Sequence, residues 1–280
     1  MQHQVHDYVW RLYLLFLRYA LLWDNDANLC LNFVFMMKKW FFLTSAFLAS
    51  SAVHAMQHET LQLNQQKYDV IKVEHLNQLQ LFLKQPQSNR YYQKFAAIQK
   101  ALPACEKLNF AMNAGMYHAD FQPVGLYIEN GKELAKLNVA KGFGNFFMQP
   151  NGVVAWNDHH AVIKTTADYK HDQFKAEFAT QSGPMLVYQG KINSQFLADS
   201  NSLKIRNGVG VKANQLYFVI SQQRVSFYQF AQFFKQQLKI DNALYLDGSI
   251  SSVYSAQTKR HDKTFNLGPI VAEVNREKCI

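Results

Sequence analysis

Hydrophobic positions change period along the chain, and those changes mark out its elements. Over 68–73 apolar and polar residues alternate, the two-residue repeat of a short strand. From Leu76 the apolar positions Leu76, Leu79, Leu81, Phe82 and Leu83, then Tyr91, Phe95, Ile98 and Leu102, recur at near-helical spacing. Pro86 and Ser88 break that run; Ser88 caps a second helix and Pro103 ends it. Beyond residue 107 the texture is that of strands. Short runs over 108–112, 124–129, 146–149, 153–156, 185–188, 209–212 and 216–221 are apolar or alternating, with Gly, Asn or Pro between them.

Turn chemistry orders these runs. Asn130-Gly131 and Asn151-Gly152 supply the positive φ that two-residue hairpin turns need, so the second is expected to pair 146–149 with 153–156. Ser226 with Gln229 three residues on forms a capping box, and Phe227, Phe230, Phe233, Phe234 and Leu238 follow as the buried face of a helix. A buried strand over 243–246 ends in Asp247-Gly248. With no repeat and no linker, the pattern specifies an α+β fold: a single β-rich domain of mixed or antiparallel sheet with flanking helices.

Two apolar segments precede this domain. Met37-Lys38-Lys39, an apolar run over 40–52 and Val53-His54-Ala55 have the order of a signal peptide, giving a signal over 37–55. Its apolar core is shorter than the roughly 20 residues of a membrane span, so no span is expected after cleavage. Upstream, the segment from Val9 to Trp23 carries Arg11 and Arg18. Residues 1–36 are therefore read as an extension ahead of the true start, the alternative being an extra hydrophobic anchor. The exported domain is then 56–280.

The full chain of 280 residues has a formal charge of +9; residues 1–55 hold four basic and three acidic groups, so the domain carries +8. Its basic residues are scattered singly from Lys67 to Lys278, which favours a solvated surface over a nucleic-acid stripe and leaves anionic envelope polymers or phosphorylated substrates as suitable partners. Cys30 falls in the leading segment. Cys105 and Cys279 remain, as one disulfide in an oxidising compartment or as two separate thiols. Neither has metal-ligand spacing, and no metal or other cofactor is expected. A bacterial source would make the location periplasmic or secreted.

Candidate chemistry lies where strands stop beside glycines. Four such places are Asn113-Ala114-Gly115-Met116-Tyr117 with Pro123-Val124-Gly125; Gly142-Phe143-Gly144-Asn145; Gln181-Ser182-Gly183-Pro184; and Asp247-Gly248-Ser249-Ile250-Ser251-Ser252. Arg206, just before Gly208-Val209-Gly210, offers a bidentate contact to phosphate, or else a surface ion pair. Asp247, at the end of an apolar strand, has the fixed position and desolvation that acid/base work requires, unless it serves only an Asp-Gly turn. His118 lies near the first motif, whereas the adjacent His159 and His160 would point to opposite faces of a strand and make a poor metal pair.

In order, NAGMY, GNFF with PNGV, QSGPMLV, RNGVGV and ALYLDGSISS resemble the motifs of the phosphodiester glycosidase family, from about Leu108 to the C-terminus. The resemblance implies hydrolysis of a sugar-1-phosphodiester bond. Carried over by position, it implies Asp247, Arg206 and Asn113 as catalytic residues and Gly115, Asn145, Ser182, Gly183, Gly248 and Ser249 around the substrate. The family's glycine-rich LDGGGS is LDGSIS here, so Ser249 and Ile250 reshape that loop. The implied partner is a phosphorylated glycan or glycosyl phosphodiester; the alternative function is a non-catalytic envelope protein that binds phosphorylated glycans or a protein. Convergence of Asp247, Arg206 and Asn113 distinguishes the two.

Overall fold

The computed structural model describes residues 56–276 and Cys279. The signal read over 37–55, the extension 1–36 and Cys30 lie outside the described residues. The rest is built on three antiparallel sheets, with a short helix against each of them.

The first sheet has seven strands in the order β1 (Met56–Leu63), β2 (Gln66–Val73), β13 (Gln215–Ser221), β12 (Asn207–Lys212), β14 (Asn242–Tyr245), β10 (Met185–Tyr188) and β11 (Lys191–Ile192). The second runs β16 (Arg260–His261), β15 (Val253–Ser255), β4 (Lys107–Asn113), β17 (Ile270–Asn275), β3 (Leu79–Phe82). The third runs β6 (Lys132–Ala135), β5 (Tyr127–Glu129), β9 (Phe178–Ser182), β7 (Gly152–Trp156), β8 (Ala161–Thr165). Between them lies one apolar core containing Ile71, Phe110, Trp156, Phe218, Leu244 and Val253. Trp156 Nε1 donates to the Leu79 carbonyl at 3.0 Å, which satisfies the indole and ties the third sheet to the second.

Helix α1 (Phe95–Ala101) covers the second sheet through Phe95 and Ile98. The capping box at Ser226 starts α3 (Phe227–Gln232), which follows the short α2 (Thr166–Lys170) in the chain. Phe230, Phe233 and Phe234 pack under the first sheet against Tyr68, Leu186 and Ala243, with the Tyr68 and Phe233 rings stacked 3.9 Å apart. Burial of each such aromatic contributes about 1.5–3 kcal/mol.

Turn geometry separates the correct sequence expectations from the others. Asn130 and Gly131 both have positive φ and join Glu129 to Lys132 in a two-residue hairpin, as expected. The hairpin expected at Asn151-Gly152 does not form. Residues 146–149 are not a strand; Asn145–Phe147 is a 3₁₀ turn, and the Phe146 carbonyl accepts from the Asn151 side chain at 3.0 Å. β7 pairs with β8 and β9 instead. The helix expected from Leu76 is also replaced: Leu79, Leu81 and Leu83 are buried at alternate positions, and residues 79–82 pair with β17. Ser88 caps no helix, because Tyr91 bridges back to Lys84 and α1 starts only after Lys94. Cys105 and Cys279 are disulfide-bonded at 2.08 Å, closing a loop of 174 residues, worth about 5 kcal/mol by chain entropy.

Candidate active site

Ends of strands from all three sheets meet at one place. β4 ends in Asn113, β12 begins with Asn207, β9 ends in Ser182, and the chain leaving β14 runs through Leu246 into Asp247. Asn113, Asn207 and Ser182 are fully buried. Asn207 Nδ2 donates to the Asn113 backbone oxygen and to Asn113 Oδ1, both at 3.0 Å. Asn207 Oδ1 accepts from the Asp247 N–H at 3.1 Å, while Asn113 Nδ2 donates to the Asp247 carbonyl at 3.0 Å. An amide pair, Asn207 from the first sheet and Asn113 from the second, thus holds both backbone groups of Asp247. Asn113 Oδ1 also accepts from the Ser252 N–H at 3.0 Å, and Ser182 Oγ donates to the Leu246 carbonyl at 2.6 Å.

This network makes Asn207 a stability determinant. Asn207→Ala leaves the Asp247 N–H and the Asn113 carbonyl without these partners, at about 1–3 kcal/mol for each buried orphan. Urea unfolding is expected to show a loss of about 2–5 kcal/mol, against almost none for Asn→Ala at the exposed Asn201. Equal effects at the two positions would refute the network's importance.

The Asp247 side chain is partly buried. Its Oδ1 accepts from the Ser249 N–H at 3.1 Å and opens the 3₁₀ turn Gly248–Ile250. Burial pushes its carboxyl up to about 6, opposed by the Ser249 hydrogen bond, and among the described residues no cation pairs with it. Tyr117 stands within electrostatic reach: burial, then the Asp247 charge, raises its phenol, whose hydroxyl donates to the Asn266 carbonyl at 2.5 Å. An isolated, desolvated carboxylate fixed through its own backbone is suited to take a proton or to face a developing positive charge.

Arg206 joins this centre from below. Its side chain is buried, with Nε donating to the Val225 carbonyl and Nη2 to the Ser202 carbonyl, both at 2.9 Å, and with the guanidinium 3.7 Å from the Phe227 ring centre. Nη1 reaches the Tyr245 hydroxyl at 3.4 Å, and that hydroxyl accepts from the Gly248 N–H at 2.5 Å. The guanidinium expected at a phosphate is thus engaged by protein carbonyls and aromatic rings, because the backbone entering β12 sends it under the first sheet. Nor does Arg206 form a surface ion pair with any of the described residues.

The remaining expected residues divide by exposure. Gly115, Gly183 and Gly248 are buried and serve close approach. A Cβ on Gly248 would lie 2.0 Å from the Tyr245 hydroxyl, and one on Gly115 would lie 2.7 Å from Thr180 Oγ1. Gly183 sits against Asn151 and the Phe146 carbonyl in the same way. Asn145 is partly exposed and Ser249 exposed, so these two can meet a ligand. Ile250 and Tyr254 pack toward α1, and the Tyr117 ring lies on Gly268. His118 is exposed in a turn, and His159 and His160 lie in the β7–β8 turn, not in a strand. Among the described residues no group of three or more His, Cys, Asp or Glu is placed to hold a metal. Surface concavities of about 600 Å³ beside Val139, Lys170 and His171, and of about 410 Å³ beside Glu74, His75 and His159, contain none of the converging residues.

Sequence reasoning missed Asn207 and Tyr245. The available signal for Asn207 was a polar amide opening an otherwise apolar buried strand; Tyr245 looked like ordinary core.

Comparison with known proteins bears on this geometry. A family model described as NAGPA: Phosphodiester glycosidase matches residues 106–272, which include every converging residue named above. The "Uncharacterized protein YigE" of Escherichia coli (strain K12) is 43% identical over 150 residues, covering 53% of this chain and 58% of that relative's length. The solved zebrafish N-acetylglucosamine-1-phosphodiester alpha-N-acetylglucosaminidase catalytic domain, auto-inhibited by its pro-peptide, superposes with a TM-score of 0.56. It shares 13% identity, with 80% of this chain and 84% of that chain covered, and so shares the fold.

Proposed function

Since this chain belongs to the phosphodiester glycosidase family, we propose that it is an exported hydrolase that cleaves sugar-1-phosphodiester bonds, with Asp247 as the reacting carboxylate. The observation that carries this reading is the convergence of Asn113 and Asn207 on Asp247, a partly buried carboxylate with no counter-ion among the described residues. Ionised Asp247 takes a proton from water as the oxygen attacks the anomeric carbon. The carbon–oxygen bond to phosphate breaks, and its electron pair stays on the departing phosphate oxygen. That leaving group is already a stable anion, so a strong general acid is not required, in line with the lack of a second motif carboxylate. Asn145 and Ser249 contact sugar hydroxyls or phosphate oxygens. Asn113 and Asn207 position Asp247, and Arg206 braces the Gly248 turn through Tyr245. Export to the periplasm or medium is supported by the signal-like segment over 37–55 and by the disulfide.

One observation favours a second reading. The only arginine of the motif set is engaged internally, which leaves phosphate without a strong cation there and suits a non-catalytic protein that binds phosphorylated glycans. Incubating the purified protein with a panel of sugar-1-phosphodiesters and detecting free reducing sugar separates the two. Release of sugar by wild type but not by Asp247→Asn supports the hydrolase; binding without release supports the alternative.

A further inference from the structure

The segment after the Asn130-Gly131 turn holds three of the six exposed large apolar side chains among the described residues. Leu134, Val139 and Phe143 are 48%, 62% and 101% exposed, so the Phe143 ring is entirely in solvent. Lys132, Lys136 and Lys141 alternate with them, all exposed and without an ion-pair partner among the described residues. The only acid between 132 and 144 is Glu133. Isolated apolar side chains on a surface are ordinary; three in one segment, interleaved with three unpaired lysines, are not.

The backbone that presents them is fixed. β6 is paired to β5, and Asn138 is clamped to Gln181, donating its N–H to Gln181 Oε1 at 2.9 Å and accepting from Nε2 at 2.8 Å. Asn138 Nδ2 also donates to the Val124 carbonyl at 2.8 Å, and Gly142 lies against the Phe147 ring. Beside Val139 the concavity of about 600 Å³ adds Lys170 and His171. Its Asp168 is engaged by the Thr165 and Tyr188 hydroxyls.

We propose that residues 132–144 form a docking surface for an anionic phospholipid membrane. Lysines at a negatively charged bilayer bring the segment to the headgroups, and Phe143, Val139 and Leu134 then gain an apolar phase. A soluble polyanion fits less well, because it would satisfy the lysines and leave the three apolar side chains in water. The surface adjoins the candidate site, since Gln181, which clamps Asn138, precedes the Ser182 that holds Leu246.

Hydrogen exchange of the full chain tests this locally, so that any membrane affinity of residues 1–55 does not obscure it. Vesicles containing phosphatidylglycerol are expected to protect 132–144, whereas phosphatidylcholine vesicles are not. Phe143→Ser should weaken that protection about ten-fold in lipid concentration, and the combined K132Q, K136Q and K141Q variant roughly 100-fold. All four positions are exposed, and unchanged exchange elsewhere verifies the fold of each variant. Equal protection by phosphatidylcholine, or none by either vesicle, overturns the proposal. Protection by soluble polyphosphate that survives Phe143→Ser also overturns it and makes the surface a polyanion site.

Discussion

Asp247→Asn is expected to lower kcat/KM for a glycosyl phosphodiester by about 10²–10⁴-fold while making the protein more stable at pH 8. The two effects share one cause. In the folded protein the carboxyl titrates near 6, above its unfolded value of about 3.8, because burial disfavours the charge. The folded state therefore holds this proton more tightly, and stability falls as pH rises from about 4 to 6 and stays lower above it. A neutral amide of nearly the same shape removes that cost and can still accept from the Ser249 N–H. The gain is about 1–3 kcal/mol above pH 6, or a few degrees in Tm, and it vanishes below pH 4. A variant that is inactive and also less stable at pH 8 would mean that Asp247 is a structural turn residue.

Arg206→Ala is expected to destabilise the protein by about 3–5 kcal/mol, since it opens a cavity beside Phe227 and removes donors from the Val225 and Ser202 carbonyls. Turnover is lost with it, because Tyr245 then loses its brace against the Gly248 N–H. Arg206→Lys retains the charge but not the fork of donors, and should fall between the two. A guanidinium that met substrate phosphate would behave differently: the alanine variant would keep the wild-type denaturation midpoint and show a large rise in KM. That outcome would return Arg206 to the substrate.

The strand ends of this candidate site were legible in the sequence. A carboxylate closing an apolar strand before glycine, and glycines beside Asn113 and Ser182, pointed to strand ends that the fold brings together. What each residue does there was less legible. Arg206 reads as a surface cation until Phe227 and Tyr245, 21 and 39 positions further along, are seen to enclose it. Asn207 acquires its role from Asn113, 94 residues away.

The same distinction applies to the fold. Locally determined features such as the Asn130-Gly131 turn and the Ser226 capping box were correct. The strands expected over 108–112, 153–156, 185–188, 209–212 and 216–221 also form, whereas segments with an ambiguous or weak pattern took the state that a distant partner imposed. Residues 76–83 fit both a helical and an alternating pattern, and pairing with β17 decides between them. β17 itself gave no strand signal because Glu273 interrupts it. That side chain is fully buried, accepts from Asn109 at 3.3 Å, and has its carboxyl pushed up to about 7 by burial, with Glu74 adding to the shift. β1 was hidden by its polar composition and by an Asn64-Gln65 turn in which both residues adopt positive φ without glycine.

The central claim is that a single poised carboxylate, Asp247, carries out the cleavage. The pH dependence of kcat/KM on a sugar-1-phosphodiester, measured from pH 4.5 to 8.5, tests it most directly. An acid limb with an apparent pKa near 6, rising ten-fold per unit and reaching a plateau above neutrality, is the predicted result. Activity that stays constant down to pH 4.5, or that increases as the carboxyl becomes protonated, would contradict it.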